Sequence, residues 1–154
     1  RLAAASFLGN QENIAIKTEV WNAHNSNYEP LDTRKDYPEL TSRFDRDQIV
    51  RAIVNLLSNA LAASTGVVGA EFVLIRTRLT DQPQRMIELA VIDQGQGIPE
   101  QVRNRLFEPY FSTKRTGTGL GLVIVQQIAH EHGGQIQVAS NHPRGTIFTL
   151  SLSV

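Results

Sequence analysis

The 154-residue chain contains no cysteine, so it has neither a disulfide framework nor a thiolate metal site, and a reducing compartment suits it. It has no surplus charge, since 15 basic residues balance 15 acidic ones. That removes the electrostatic case for nucleic acid or an anionic membrane surface as partner. It has no apolar run near the ~20 residues that span a bilayer. It has no signal-peptide pattern and starts at Arg1 rather than methionine, which reads as a piece of a longer protein. No repeat or low-complexity tract interrupts it. What is there, 41% hydrophobic residues, suits a single globular domain over 1–154 with a real core.

Residues 1–13 read as the end of a preceding helix or a linker. "NIAIKTEV" alternates as a strand, and Asn22 to Ser42, rich in Asn, Asp, Pro and Tyr, reads as a long loop. "FDRDQIVRAIVNLLSNALAAS" is the strongest helix: Asp45 or Asp47 can cap it, and Ile49, Ile53, Leu56, Leu57, Ala60 and Leu61 form one apolar stripe that ends before Gly66. "AEFVLIRTRL" and "RMIELAVID" are two strands. Pro99 opens a short helix, "PEQVRNRLF", and "GLGLVIVQQIAHEHGG" is a second long helix stopped by a glycine pair. "QIQVAS" and "GTIFTLSLSV" end the chain as strands. This order predicts an α/β two-layer sandwich, with a mixed, mainly antiparallel sheet and helices on one face.

Three constellations carry chemistry. In "NLLSNA", Asn55 and Asn59 are four apart and project from one helix face. They are either water-satisfied surface amides or neutral hard ligands that suit Mg²⁺ when phosphates supply the charge. In "AVIDQGQGIP", an apolar strand delivers Asp93 to its end, and Gly95 and Gly97 follow. The alternatives are an ordinary Asp-Gly turn or a carboxylate that accepts from an amino group beside bare backbone on which a flat ligand can lie. The dinucleotide spacing G-x-G-x-x-G fails at Glu100. In "YFSTKRTGTGLGL", Gly117, Gly119 and Gly121 stand at a helix start whose free N–H groups favour an anion, with Lys114 and Arg115 adding charge. A flexible loop is the plainer account, but it leaves glycine on alternate positions unexplained. No Gly-Lys-Ser/Thr follows, so this is not a Walker loop. A purine nucleoside triphosphate with Mg²⁺ has the parts that all three would meet.

In this order the stretches are familiar. "NLLSNA" resembles the N box, "DQGQG" the G1 box, "LFEPYFSTK" the F box and "GTGLGL" the G2 box of the sensor histidine kinase catalytic domain, from about Phe44 to Val154. "FEPYFSTK" with the later "HGG" is most similar to kinases of the nitrogen-regulation and oxygen-sensing type. The resemblance implies the Bergerat ATP-binding fold of the GHKL superfamily, shared with gyrase B, heat-shock chaperones and MutL proteins. It implies that Asp93 binds the adenine amino group, with Gly95, Gly97 and Ile98 in the adenine pocket. Asn59 would ligate Mg²⁺, and Asn55 would lie beside the phosphates. Gly117, Thr118, Gly119, Leu120 and Gly121 would wrap the phosphates. Between the G1 and G2 boxes would lie a mobile ATP lid anchored by Phe107 and Phe111. Ser112 to Thr118 has few apolar side chains to pin it, so it is expected to gain order when a triphosphate meets its N–H groups and Lys114.

Two positions depart from the family. Ala62 stands where many members carry Lys or Arg, leaving Lys114 or Arg115 to meet phosphate. The 22–42 loop is longer than usual, and no role follows for it. None of the four histidines has the setting of the family's phosphoacceptor, which the resemblance places on a separate dimerisation domain; residues 1–13 would be the end of its helix. His130 and His132 read better as a helix terminus than as a metal pair, because residues two apart face different ways.

Hydrolytic members of the superfamily carry glutamate at the position of Asn55, and a carboxamide cannot take a proton from water or serine. A neutral imidazole needs little such help. The expected function is therefore γ-phosphoryl transfer from ATP to histidine, with Asn55 in the catalytic position. Onward partners would be the kinase's own dimerisation domain and a response regulator receiver domain. The domain is expected in the cytoplasm, with no membrane contact of its own, whether or not the parent is membrane-bound. The alternative is a non-catalytic nucleotide-sensing module that contacts a partner through its lid.

Overall fold

The computed structural model describes residues 14–22, 26–32, 43–81, 84–112 and 117–154. The 1–13 lead-in, His24, Lys114, Arg115 and most of the 22–42 loop lie outside the described residues. Among the described residues nine elements follow in order: β1 (Ala15–Asn22), β2 (Asn27–Pro30), α1 (Arg46–Ser64), β3 (Phe72–Thr80), β4 (Met86–Ile92), α2 (Glu100–Arg103), α3 (Gly121–Glu131), β5 (Gln135–Ser140) and β6 (Thr146–Ser153). The six strands form one sheet in the order β2-β1-β3-β4-β6-β5. Among the described residues only β1 and β3 pair in parallel, and α1 is the crossover that such a pair needs.

The core is the seam between the helices and one sheet face. Ala52, Leu56 and Ala60 of α1 and Val125, Ile128 and Ala129 of α3 pack with Val73, Val91, Phe148, Leu150 and Leu152. Strand register explains the sheet's share: Val91 sits opposite Phe148, and Leu89 opposite Leu150, so alternate residues of neighbouring strands share a face. The other face carries charge and rings. Arg76 Nε donates to Glu19 Oε2 at 2.8 Å, its guanidinium lies over Tyr28, and Tyr28 meets Trp21 edge to face.

Helix ends follow local chemistry. Asp45 caps α1, accepting from the N–H groups of Asp47 and Gln48. Gly133, with φ +64°, lets the chain turn out of α3, and Gly134 N–H donates to Ala129 O. His132 is part of this terminus: its Nδ1 lies 2.8 Å from Ile128 O, and its Nε2 is 3.3 Å from the donating Asp45 N–H. It thereby ties the end of α3 to the start of α1.

Two expectations are corrected. The 22–42 loop contains β2, which pairs antiparallel with β1. Four residues ending in Pro30 carry no periodic signal; the strand exists through cross-strand partners, Trp21 with Tyr28 and Asn22 Nδ2 donating to Glu29 Oε1. The helix after Pro99 stops at Arg103, short of Phe107. From there Arg105, Leu106, Glu108 and Phe111 each donate N–H to a carbonyl three residues back, giving successive tight turns rather than α-helix.

Candidate functional site

A cleft of about 880 Å³ opens beside α1, the turn after β4, the α2 segment and the start of α3. At the end of β4, Asp93 lines it while only 2% exposed. Its Oδ1 accepts two main-chain bonds, from Gly95 N–H at 2.8 Å and from Thr146 N–H at 3.1 Å. Burial pushes the Asp93 carboxyl above the ordinary carboxylate range; the Gly95 and Thr146 bonds pull it partly back. A buried carboxylate fixed in this way is a strong acceptor with a set direction.

The turn that follows is glycine for steric reasons. A Cβ on Gly95 would stand 2.4 Å from Ala63 O, because the turn is pressed on the end of α1, where Gln96 N–H donates to the same carbonyl. Gly95 therefore lies behind the cleft, whereas Gly97 and Ile98 line it.

The α1 wall presents Asn55, Ser58, Asn59, Ala62 and Ala63. Asn55 Nδ2 donates to Arg51 O one turn back, at 2.9 Å, and this fixes which amide atom is left for other use. Its Oδ1 is turned towards the start of α3, 2.9 Å from where a Gly121 Cβ would be. Ala62 contributes a methyl group to the lining, so α1 brings no positive charge to this part of the cleft.

Gly117, Thr118, Gly119, Leu120 and Gly121 complete the lining from the α3 side. Gly119 has φ +69°, and a Cβ there would meet Tyr110 C at 2.4 Å; its carbonyl accepts from Tyr110 N–H. This glycine, two residues before α3 begins, thus lets the lead into the helix touch the turn at Tyr110. Phe111 lines the cleft, but Phe107 does not; Leu106 and Val102 provide the apolar surface there. Arg105 lies over the Phe111 ring at 4.4 Å and pairs with Glu108.

Sequence reasoning passed over Thr146, Gly145 and Asn141. Thr146 lines the cleft and holds Asp93, and "RGT" offered only a turn glycine as a signal. Among the described residues no group of three or more His, Cys, Asp or Glu could hold a metal, and His132 is used in the helix terminus.

Comparison with known proteins finds a family model, curated relatives and solved structures similar to this chain. The family model described as histidine kinase-, DNA gyrase B-, and HSP90-like ATPase matches residues 44–154. The chain is 38% identical over 117 residues to the sensor histidine kinase ZraS of Escherichia coli (strain K12), covering 76% of this chain and 23% of that protein. It is 40% identical over 111 residues to the nitrogen regulation protein NtrY of Azorhizobium caulinodans, covering 70% and 14%. The chain thus spans less than a quarter of the length of these curated relatives. Among solved structures, a nucleotide-free form of the catalytic domain of histidine kinase ThkA superposes with TM-score 0.68 at 28% identity, over 92% of this chain and 79% of that one. The mycobacterial sensor histidine kinase MprB gives TM-score 0.61 at 28% identity, over 92% and 83%. The chain belongs to the histidine kinase-, DNA gyrase B- and HSP90-like ATPase family, as a histidine kinase catalytic domain.

Proposed function

We propose that the cleft binds Mg-ATP and that the chain passes the γ-phosphoryl group to a histidine on the dimerisation domain of its parent kinase. The observation that carries this reading is Asp93, a buried carboxylate in a cleft whose other walls are an amide pair and a glycine-rich helix start. Asp93 accepts from the adenine amino group, with Gly97 and Ile98 beside the ring and Gly95 shaping the turn. Phe111 closes over the cleft as the apolar anchor of the lid, with Leu106 where Phe107 was expected. Gly117 to Gly121 offer main-chain N–H groups to the phosphates.

The donor set suits Mg²⁺. Asn59 and Asn55 bring neutral amide oxygens from adjacent turns of α1, and no carboxylate cluster competes among the described residues. Asn59 would hold the ion together with phosphate oxygens, and when bound it would neutralise charge on the triphosphate.

Asn55 decides the acceptor. Its amide cannot serve as a base, so the nucleophile must bring a free lone pair at neutral pH. An imidazole nitrogen does. Its N–P bond forms as the bond between the γ-phosphorus and the β–γ bridging oxygen breaks, and ADP leaves with that electron pair. The phosphoryl group would then pass to a response regulator receiver domain. ATP as substrate puts the domain in the cytoplasm; no helix among the described residues is long and apolar enough to cross a membrane.

A phosphotransfer assay tests the reading. With γ-labelled ATP the isolated chain should take up no label, and adding the parent's dimerisation domain should give acid-labile phosphohistidine on that partner. Label on His24, His130, His132 or His142 would overturn it. ATP binding without any transfer would favour a nucleotide-sensing module instead.

Mg-ATP is also expected to slow amide hydrogen exchange at Gly117, Thr118, Gly119 and Gly121, because the triphosphate gives these donors a shared partner. Equal protection with and without nucleotide would make "GTGLGL" a rigid turn with no phosphate contact.

A further inference from the structure

Strand β4 ends at Ile92, so the Asp93 main chain lies just past its ladder. The turn between β5 and β6 takes over. Asp93 N–H donates to Thr146 O at 2.9 Å, and Asn141 Nδ2 donates to Asp93 O at 2.8 Å. The turn is closed on itself, since Asn141 N–H donates to Gly145 O at 3.0 Å. One residue before Gly145, Arg144 reaches across. Its Nε donates to Gln94 O at 3.2 Å and its Nη2 to Val68 O at 2.7 Å. Gln94 is gripped from its other end too, where its Oε1 accepts from Glu71 N–H. Neither Asn141 nor Arg144 lines the cleft, yet between them they hold the carbonyls of the two residues that open the turn.

We infer that Asn141 and Arg144 are positioning residues for base selection, holding Asp93 in the one direction that favours a purine with an amino group over one with a carbonyl. This rests on the reading of Asp93 as the partner of the adenine amino group. The physical ground is that a single charged acceptor discriminates only while its direction is fixed. Thr146 and Gly95 fix the carboxylate end, and they can do so only if the Asp93 and Gln94 peptides stay where the two side chains hold them. Asn141 supplies the donor that a neighbouring strand would otherwise give to Asp93 O. Arg144 ties the turn to the loop after α1.

The test is calorimetric titration of the 154-residue chain with ATP and with inosine triphosphate, which carries oxygen in place of the amino group. Thermal melts establish that each variant is folded. Wild type should prefer ATP by roughly tenfold or more, and Asp93→Asn should lose that preference. Asn141→Ala and Arg144→Ala should each narrow the preference by roughly fivefold or more, through weaker ATP binding at nearly unchanged inosine triphosphate affinity. Arg144→Lys, which can keep one of the two bonds, should fall between, and it carries the test if Asn141→Ala does not fold. A merely structural role would weaken both nucleotides together and leave the ratio alone. Folded variants that keep the wild-type ratio while Asp93→Asn loses it would overturn this inference only. Equal affinity of wild type for both nucleotides would overturn the reading of Asp93 and this inference with it.

Discussion

Asp93→Asn is expected to lower ATP affinity by roughly tenfold to a hundredfold or more while leaving the nucleotide-free fold at least as stable as wild type. The loss follows from removing a charge-assisted hydrogen bond, worth ~1.5–3 kcal/mol. Stability behaves differently because the carboxylate is only 2% exposed and burial raises its pKa. A raised pKa means that the folded state holds the proton more tightly than the unfolded chain. The corresponding stability is fully present below the ordinary carboxylate value and is lost as pH rises through the folded value. An asparagine oxygen can still accept from Gly95 and Thr146 N–H, and it carries no charge to desolvate. The melting temperature of the variant relative to wild type should therefore climb from acid to neutral pH in the absence of nucleotide. Two measurements check this: calorimetric titration with ATP, and melts across that pH range. Equal ATP affinity would remove Asp93 from base recognition, and a pH-independent difference in melting would mean that its burial carries no electrostatic penalty.

Gly145→Ala should strike fold and site together. This buried glycine has φ +114°, and a Cβ there would stand 2.0 Å from Asp93 O and 3.0 Å from Gln94 Cα. Neither atom belongs to a flexible side chain, so backbone must move. Strain and displacement together should destabilise the domain by about 3 kcal/mol or more, lowering the melting temperature by roughly 6–12 °C for a chain of this size. The next residue is Thr146, whose N–H holds Asp93 Oδ1, so ATP binding should also fail at temperatures where the variant is still folded. Gly66→Ala is the control. Gly66 has φ +73° but nothing within 4 Å of an added Cβ, so only the conformational term of ~1–2 kcal/mol applies. A Gly145→Ala protein that melts with wild type and binds ATP normally would show that the β5–β6 turn does not press on Asp93.

Much of this molecule was legible because its signals are local. The Asp45 cap, the apolar stripe of α1, the alternation in β4 and the glycine pair after α3 each act within a few residues, over the range of a helical turn or a strand repeat. The four boxes likewise stand whole in the text, and the cleft gathers residues from each of them: Asn55 and Asn59, Asp93 and Gly97, Phe111, and Gly117 to Gly121. Where local signals were weak, the reading slipped. Strand β2 is four residues long and exists by pairing with Trp21 and its neighbours. The α2 segment kept a helical composition, yet hydrogen bonds three residues apart end it at Arg103.

The sequence by itself determined the elements other than β2 and the end of α2, the residue types that a nucleotide would need, and the absence of a base at Asn55. Only the tertiary structure decided how those groups are aimed. Asp93 is held by Thr146, 53 residues further along, and by Asn141, 48 residues away, because the sheet sets β6 beside β4 and brings the β5–β6 turn to the end of that pair. Gly119 is glycine because the Tyr110 main chain packs on it, and Gly121 faces the Asn55 side-chain oxygen. Such close approaches depend on which chain segments meet, and no periodicity within either segment encodes its partner. Composition can supply a carboxylate; its direction comes from backbone donors that the fold carries in from elsewhere.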